Sequence, residues 1–160
     1  MNKMSLDNIL IILEAMIQYE MGLSELYETC AGVSEEDEEL WRSLSGAEIH
    51  HADNIKKMTA ILVEKHDRFE VGRPFNIVAL KTAMAGVKDT TGRISRGEFS
   101  RERMLISARD FEQSMLESHY TEIVRTNDLG YQTLMKNILS QTQEHKKAIQ
   151  KAIDEVKTKG

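Results

Sequence analysis

The chain has 160 residues, 41% hydrophobic and 29% charged, with 21 basic against 26 acidic side chains for a net charge of −5. That length suits one domain with a real core, since a chain near this size buries about two-thirds of its unfolded surface. The negative balance, with no basic block, argues against nucleic acid or an anionic membrane as partner, and a lone cysteine, Cys30, excludes an intramolecular disulfide or a cysteine-rich metal site.

One proline and nine glycines favour long helices over a sandwich or barrel. The longest apolar run, Ile9 to Leu13, is stopped by Glu14. That is far short of the roughly 20 residues that span a bilayer and too short for a secretory signal. The expectation is a single all-α domain over residues 1–160, in the cytoplasm.

Apolar residues recur at three and four along four stretches, which predicts helices with one buried face. The first spans about 5–31, with Ile9, Ile12, Met16, Leu23 and Tyr27 inward, Ser5 as N-cap and Gly32 as stop. The second spans about 35–66, with acids at its start and a stripe at Leu40, Leu44, Ala47, Ile55, Met58 and Leu62. Pro74 then opens a short helix, about 75–87, which Asp89-Thr90-Thr91-Gly92 breaks. The third helix spans about 100–126 through Leu105, Ala108, Phe111, Met115 and Ile123. The fourth spans about 128–157 through Leu134, Ile138, Ile149 and Ile153. Short joins make antiparallel neighbours, so the pattern predicts two antiparallel hairpins joined by a long crossover containing a short helix.

The informative residues are polar ones on the apolar faces. Glu20 falls between Met16 and Leu23, Glu48 and His51 between Leu44 and Ile55, Glu112 between Ala108 and Met115, and His145 between Ile138 and Ile149. Their depths agree as well. Glu20 and Glu48 each lie roughly 16–20 Å from one end of the first hairpin at 1.5 Å per residue. Glu112 and His145 share a level in the second hairpin by the same reckoning.

A buried carboxylate without a partner costs several kcal/mol, and three would consume most of a domain's roughly 5–15 kcal/mol of net stability. No lysine or arginine lies on those stripes. Divalent cations supply the missing charge, and carboxylate with imidazole suits iron, manganese or zinc. The competing reading turns each acid to the edge of the bundle and into water.

This ordered set resembles the ferritin-like superfamily, in particular its rubrerythrin-type di-iron carboxylate branch, over nearly the whole chain. Glu20 followed by Tyr27 is similar to the family's first helix, Glu48-Ile-His-His51 to its Glu-x-x-His, and Ala108-Arg-Asp-Phe-Glu112 to its third helix. The resemblance implies a ferritin-like four-helix bundle in which Glu20, Glu48, His51, Glu112 and His145 bind one or two iron ions. It also implies oxidation of ferrous iron by dioxygen or peroxide, or reduction of peroxide, and pairing as a homodimer.

The chain departs from the family at four points. Aligning His145 with His51 puts Thr142 where a second Glu-x-x-His would have its glutamate. A one-residue slip would instead place Gln143 and Lys146 there, but only the first alignment keeps Ile138 with Leu44 and Ile149 with Ile55. Met115 stands where rubrerythrins carry an additional glutamate, and His119 takes the place that corresponds to Tyr27. A rubredoxin-like module is expected to be absent, which leaves electrons to a separate donor. Three glutamates against two divalent ions leave an excess positive charge. A good site is therefore expected near Glu20, Glu48 and His51, and a weaker one near Glu112 and His145. Tyr27, His119 and Thr142 are expected around the ligands, Tyr27 as a hydrogen-bond donor, His119 as a substitute ligand and Thr142 holding water.

Bland readings suffice for the other candidates: Cys30 as a small buried residue, His50 and His66 as solvated surface histidines, and Glu35 to Glu39 as a helix start. Two rival functions share the scaffold. One is a non-catalytic bundle in which a single zinc, iron or manganese neutralises the acids. The other is a metal-free helical dimerisation module.

Overall fold

The computed structural model describes residues 1–159. In chain order it comprises α1 (Lys3–Val33), α2 (Glu38–Glu64), β1 (Phe69–Val71), α3 (Ile77–Ser95), α4 (Arg101–Glu117), β2 (Val124–Thr126) and α5 (Leu129–Lys159). The chain is an all-helical bundle with one two-stranded ribbon. No helix among the described residues is long and apolar enough to cross a membrane.

Side-chain contacts fix the helix directions. Ser24 meets Ser45 and Glu20 faces His51, so α1 and α2 are antiparallel. Glu112 faces His145 and Arg109 bonds Gln150, so α4 and α5 are antiparallel too. Glu48 meets His145 and Lys65 meets Asp128, which sets α2 against α5. It follows that α2 and α4 run the same way, and the chain between them must return along the bundle. Helix α3 makes that return, packed along α1.

Helix α3 is longer than its sequence suggests. It starts after Pro74, with Asn76 Oδ1 accepting the Ala79 N–H at 3.1 Å, and runs through Asp89-Thr90-Thr91-Gly92 to Ser95. Two forces override the expected break. Leu80, Val87 and Ile94 bury one face, and the Thr91 hydroxyl donates to the Val87 carbonyl at 2.8 Å instead of opening the helix. A glycine in a helix costs only about 1 kcal/mol, less than the burial of those side chains returns. The actual stop is Gly97, at φ +76°, with the Glu98 N–H on the Arg93 carbonyl and the Gly97 N–H on Ile94.

Because α3 covers a second face, α1 is buried on two sides. Ala15, Ile17, Tyr19 and Leu26 are buried alongside Ile9, Leu13, Met16, Leu23 and Tyr27, whereas Ile12 is only partly covered. The N-cap of α1 is Asn2, whose Oδ1 accepts the Ser5 N–H at 2.8 Å; Ser5 is capped, not capping. Gly32 stays helical, and Ser34 closes the helix with its N–H on the Cys30 carbonyl at 2.9 Å.

A single 3₁₀ turn, Glu35–Asp37, precedes α2. Its Asp37 is buried in a two-pronged pair with Arg101, at 2.7 and 3.0 Å, which ties the start of α2 to the start of α4.

The third helix does not reach residue 126. Helix α4 ends at Glu117, His119 takes a left-handed conformation at φ +56°, and a 3₁₀ turn Tyr120–Glu122 leads into β2. Thr121, Ile123, Val124 and Thr126 are β-branched, which favours an extended chain here. Strand β2 pairs antiparallel with β1, Phe69 opposite Thr126 and Val71 opposite Val124. Gly72 continues the pairing so closely that a Cβ on it would sit 2.1 Å from the Glu122 carbonyl oxygen. Asp128 then caps α5, accepting the Tyr131 N–H at 2.9 Å.

Candidate metal centre

Helices α1, α2, α4 and α5 each send at least one polar side chain into one layer of the core. Glu20, Glu48 and Glu112 are each 1% exposed and His51 is fully buried. His145 is partly covered. Helical spacing explains the convergence: each lies three or four residues from buried apolar neighbours and cannot turn outward without turning them too.

Glu48 is the centre of the layer. Its Oε2 lies 3.2 Å from His51 Nδ1 and its Oε1 lies 3.1 Å from His145 Nδ1. On the first side, Glu20 Oε2 approaches His51 Nδ1 at 3.8 Å; on the second, Glu112 Oε1 approaches His145 Nδ1 at 3.6 Å. The two imidazole rings stack at 5.4 Å. Two three-residue groups result, Glu20–Glu48–His51 and Glu48–Glu112–His145. Within each group, potential ligand atoms lie within 4.8 Å of one another. The halves are more alike than the expected strong and weak sites, because Glu48 serves both.

Electrostatics in this layer are severe. Burial, followed by Glu48, holds the Glu20 carboxyl well above the usual carboxylate range. Glu20 Oε2 is buried with no hydrogen-bond partner. Burial works to lower both histidines, but the carboxylates outweigh it. Glu20 and Glu48 push His51 up to about 10, and Glu112 and Glu48 push His145 up to about 9. No lysine or arginine among the described residues pairs with any of the three acids. Without cations, protons balance this charge, on the two imidazoles and on the Glu20 carboxyl.

Tyr27 is positioned as its spacing suggests: its hydroxyl donates to Glu112 Oε1 at 2.7 Å, and its ring stacks on Trp41 at 5.7 Å. Thr142 is buried in the same layer, but its hydroxyl donates to the Ile138 carbonyl of its own helix at 2.8 Å. His119 is a correction. It lies beyond the end of α4, half-exposed, with its ring 3.7 Å from Glu122, and belongs to neither group. The helix that would have carried it inward stops two residues earlier.

The register with His145 inward holds, since Gln143 is exposed and Lys146 lies at the margin. His50 and His66 are exposed. Cys30 is buried, and burial pushes its thiol up to about 12.

Sequence reasoning missed Gln141, whose Oε1 accepts from His51 Nε2 at 2.7 Å. Its signal was present: Gln141 stands four before His145 and therefore on the same face. It also missed Tyr19, whose hydroxyl donates to the Phe111 carbonyl at 3.2 Å and joins α1 to α4 beside Glu112.

Comparison of the chain with protein-family models, with curated proteins and with solved structures finds no match.

Proposed function

We propose that this chain is a ferritin-like metal protein of the rubrerythrin type, in which Glu20, Glu48 and His51 would hold one divalent ion and Glu48, Glu112 and His145 a second. The single observation that carries this reading is Glu48 itself. A buried carboxylate presents one oxygen to an imidazole nitrogen from each hairpin, while Glu20 Oε2 beside it has no partner at all. The alternation of helix directions, with α3 returning between α2 and α4, supports the ferritin-like assignment. The donor set suits iron, manganese or zinc, and iron is the metal that the resemblance favours.

Bound iron would supply electrons and an open position for dioxygen or peroxide. The residues around it do the positioning. Gln141 Oε1 accepts a hydrogen bond from the Nε2–H of His51 and so leaves Nδ1 as the nitrogen that faces the acids. Tyr27 holds Glu112 from the other side by donating its hydroxyl to Oε1. Bound ions would take the place of the Nδ1 protons, since a ligating imidazole is neutral. A homodimer and a separate electron donor complete the proposal.

Thr142 favours a second reading. With no fourth acid, the pocket can settle for one ion that neutralises the glutamates without turnover.

Metal per chain after purification without added metal separates the two. Two irons that change oxidation state with peroxide support the first reading, and one redox-silent ion supports the second. A chelator that leaves the melting temperature unchanged speaks against both, because a bound ion must stabilise the fold by mass action.

A further inference from the structure

A cavity of about 420 Å³, the size of a small-molecule site, opens between α1, the start of α3 and the end of α4. The end of α4 lines it through Ser114, Met115, Glu117 and Ser118. A helix leaves its final carbonyls without intrahelical donors, which gives that end a partial negative charge that a basic side chain ordinarily answers. The last turn of α4 has no basic residue and closes instead on an acid, Glu117. Gln113 holds that carboxylate in place, its Nε2 donating to Oε1 at 2.6 Å. No basic group among the described residues forms an ion pair with it. A full and a partial negative charge thus meet at one helix end, an unfavourable pairing that a cation would relieve.

The basic groups of the lining are already engaged. Arg73 pairs with Glu122 at 3.1 Å, and His119 lies 3.7 Å from the same carboxylate. On the facing wall, the first turn of α3 spends part of its positive end on its own cap, the Ala79 N–H on Asn76 Oδ1 at 3.1 Å. Beside Glu117, the Ser118 hydroxyl gives its proton to the Met115 carbonyl at 2.7 Å and keeps only lone pairs for a ligand. Acceptors therefore outnumber donors around the acid. Phe75, Leu80 and Ala83, none of them exposed, give apolar walls. We propose that this cavity binds a small organic amine as its cation, with the ammonium on Glu117 at the end of α4. The apolar body of the amine lies against Phe75, Leu80 and Ala83. Such binding requires no ion in the carboxylate layer.

Phenethylamine is the probe, with phenethyl alcohol and phenylacetate as its neutral and anionic counterparts. In amide NMR titrations of the full chain, the amine is expected to saturate and to shift Ser114, Glu117 and Ser118. It is expected to bind about tenfold more tightly than either counterpart, the scale of one hydrogen bond to a charged group. Glu117→Gln, at an exposed position, is expected to remove that preference, to leave phenethyl alcohol binding unchanged, and to melt no lower than wild type. Ala79→Trp fills the cavity from an exposed position and is expected to abolish binding of both molecules. Glu64→Gln, exposed on α2 outside the lining, is expected to match wild type. An amine that fails to saturate, or that binds no more tightly than its counterparts, overturns the assignment. So does an unchanged amine affinity in Glu117→Gln, or an equal loss in Glu64→Gln.

Discussion

Glu48 and His145 stand 97 residues apart in the chain and meet at 3.1 Å across the bundle. His51 approaches the other oxygen of the same carboxylate at 3.2 Å. One side chain thus couples the two halves, and losing it has a different consequence from losing any other donor. Glu48→Ala is expected to abolish both ions, weakening binding by more than about 100-fold, whereas Glu20→Ala spares the ion near Glu112 and His145. Metal stoichiometry of the two variants by elemental analysis checks this; equal residual binding would remove Glu48 from its bridging role.

Thr142→Glu is expected to act in opposite directions with and without metal. A fourth acid in this layer adds a buried charge, so the metal-free variant melts below wild type. With ions bound, the same acid completes the charge balance, and the loaded variant melts above wild type. Paired thermal melts test both signs. A variant that is destabilised in both states would mean that residue 142 does not face the ions.

Tyr27→Phe removes the donor to Glu112 and leaves the packing on Trp41. A hydrogen bond to a charged group contributes about 1.5–3 kcal/mol, and loss of such a partner lowers metal affinity about 10–100-fold. Denaturant unfolding and metal competition measure the two effects. An affinity equal to wild type would show that Glu112 holds its place unaided.

Much of this site was legible because helical spacing is rigid. Glu20, Glu48, His51, Glu112 and His145 each interrupt an apolar stripe, and a residue locked between buried neighbours has one direction in which to point. His119 shows the limit. Its placement required α4 to continue, and nothing in the three-and-four periodicity marks the end of a helix where a histidine turns left-handed at φ +56°. The ribbon of Phe69–Val71 with Val124–Thr126 joins segments distant in sequence, so local pattern could not reveal it. Helix α3 was cut short for a related reason: Thr90, Thr91 and Gly92 read as a turn until the second buried face of α1 is known.

In the metal-free protein the histidines carry the compensating charge, and this fixes a pH dependence. The ordinary imidazole value is 6.5, and the acids raise His51 to about 10 and His145 to about 9. The folded state therefore binds these protons more tightly than the unfolded state. The stabilisation is complete below pH 6.5 and is lost as pH rises through 9 to 10. Burial and Glu48 raise Glu20, which acts in the same sense. Melting temperature without metal is expected to fall between about pH 6.5 and 10, and to fall less once ions replace the protons. A melting temperature that rises over this window would contradict the assigned protonation.

The most direct measurement is anomalous scattering from iron-loaded crystals grown with protein purified anaerobically. The account predicts two peaks separated by the Glu48 carboxylate, one beside Glu20 and His51 and the other beside Glu112 and His145. An absence of any peak in that layer, with the three glutamates turned into solvent, would contradict it.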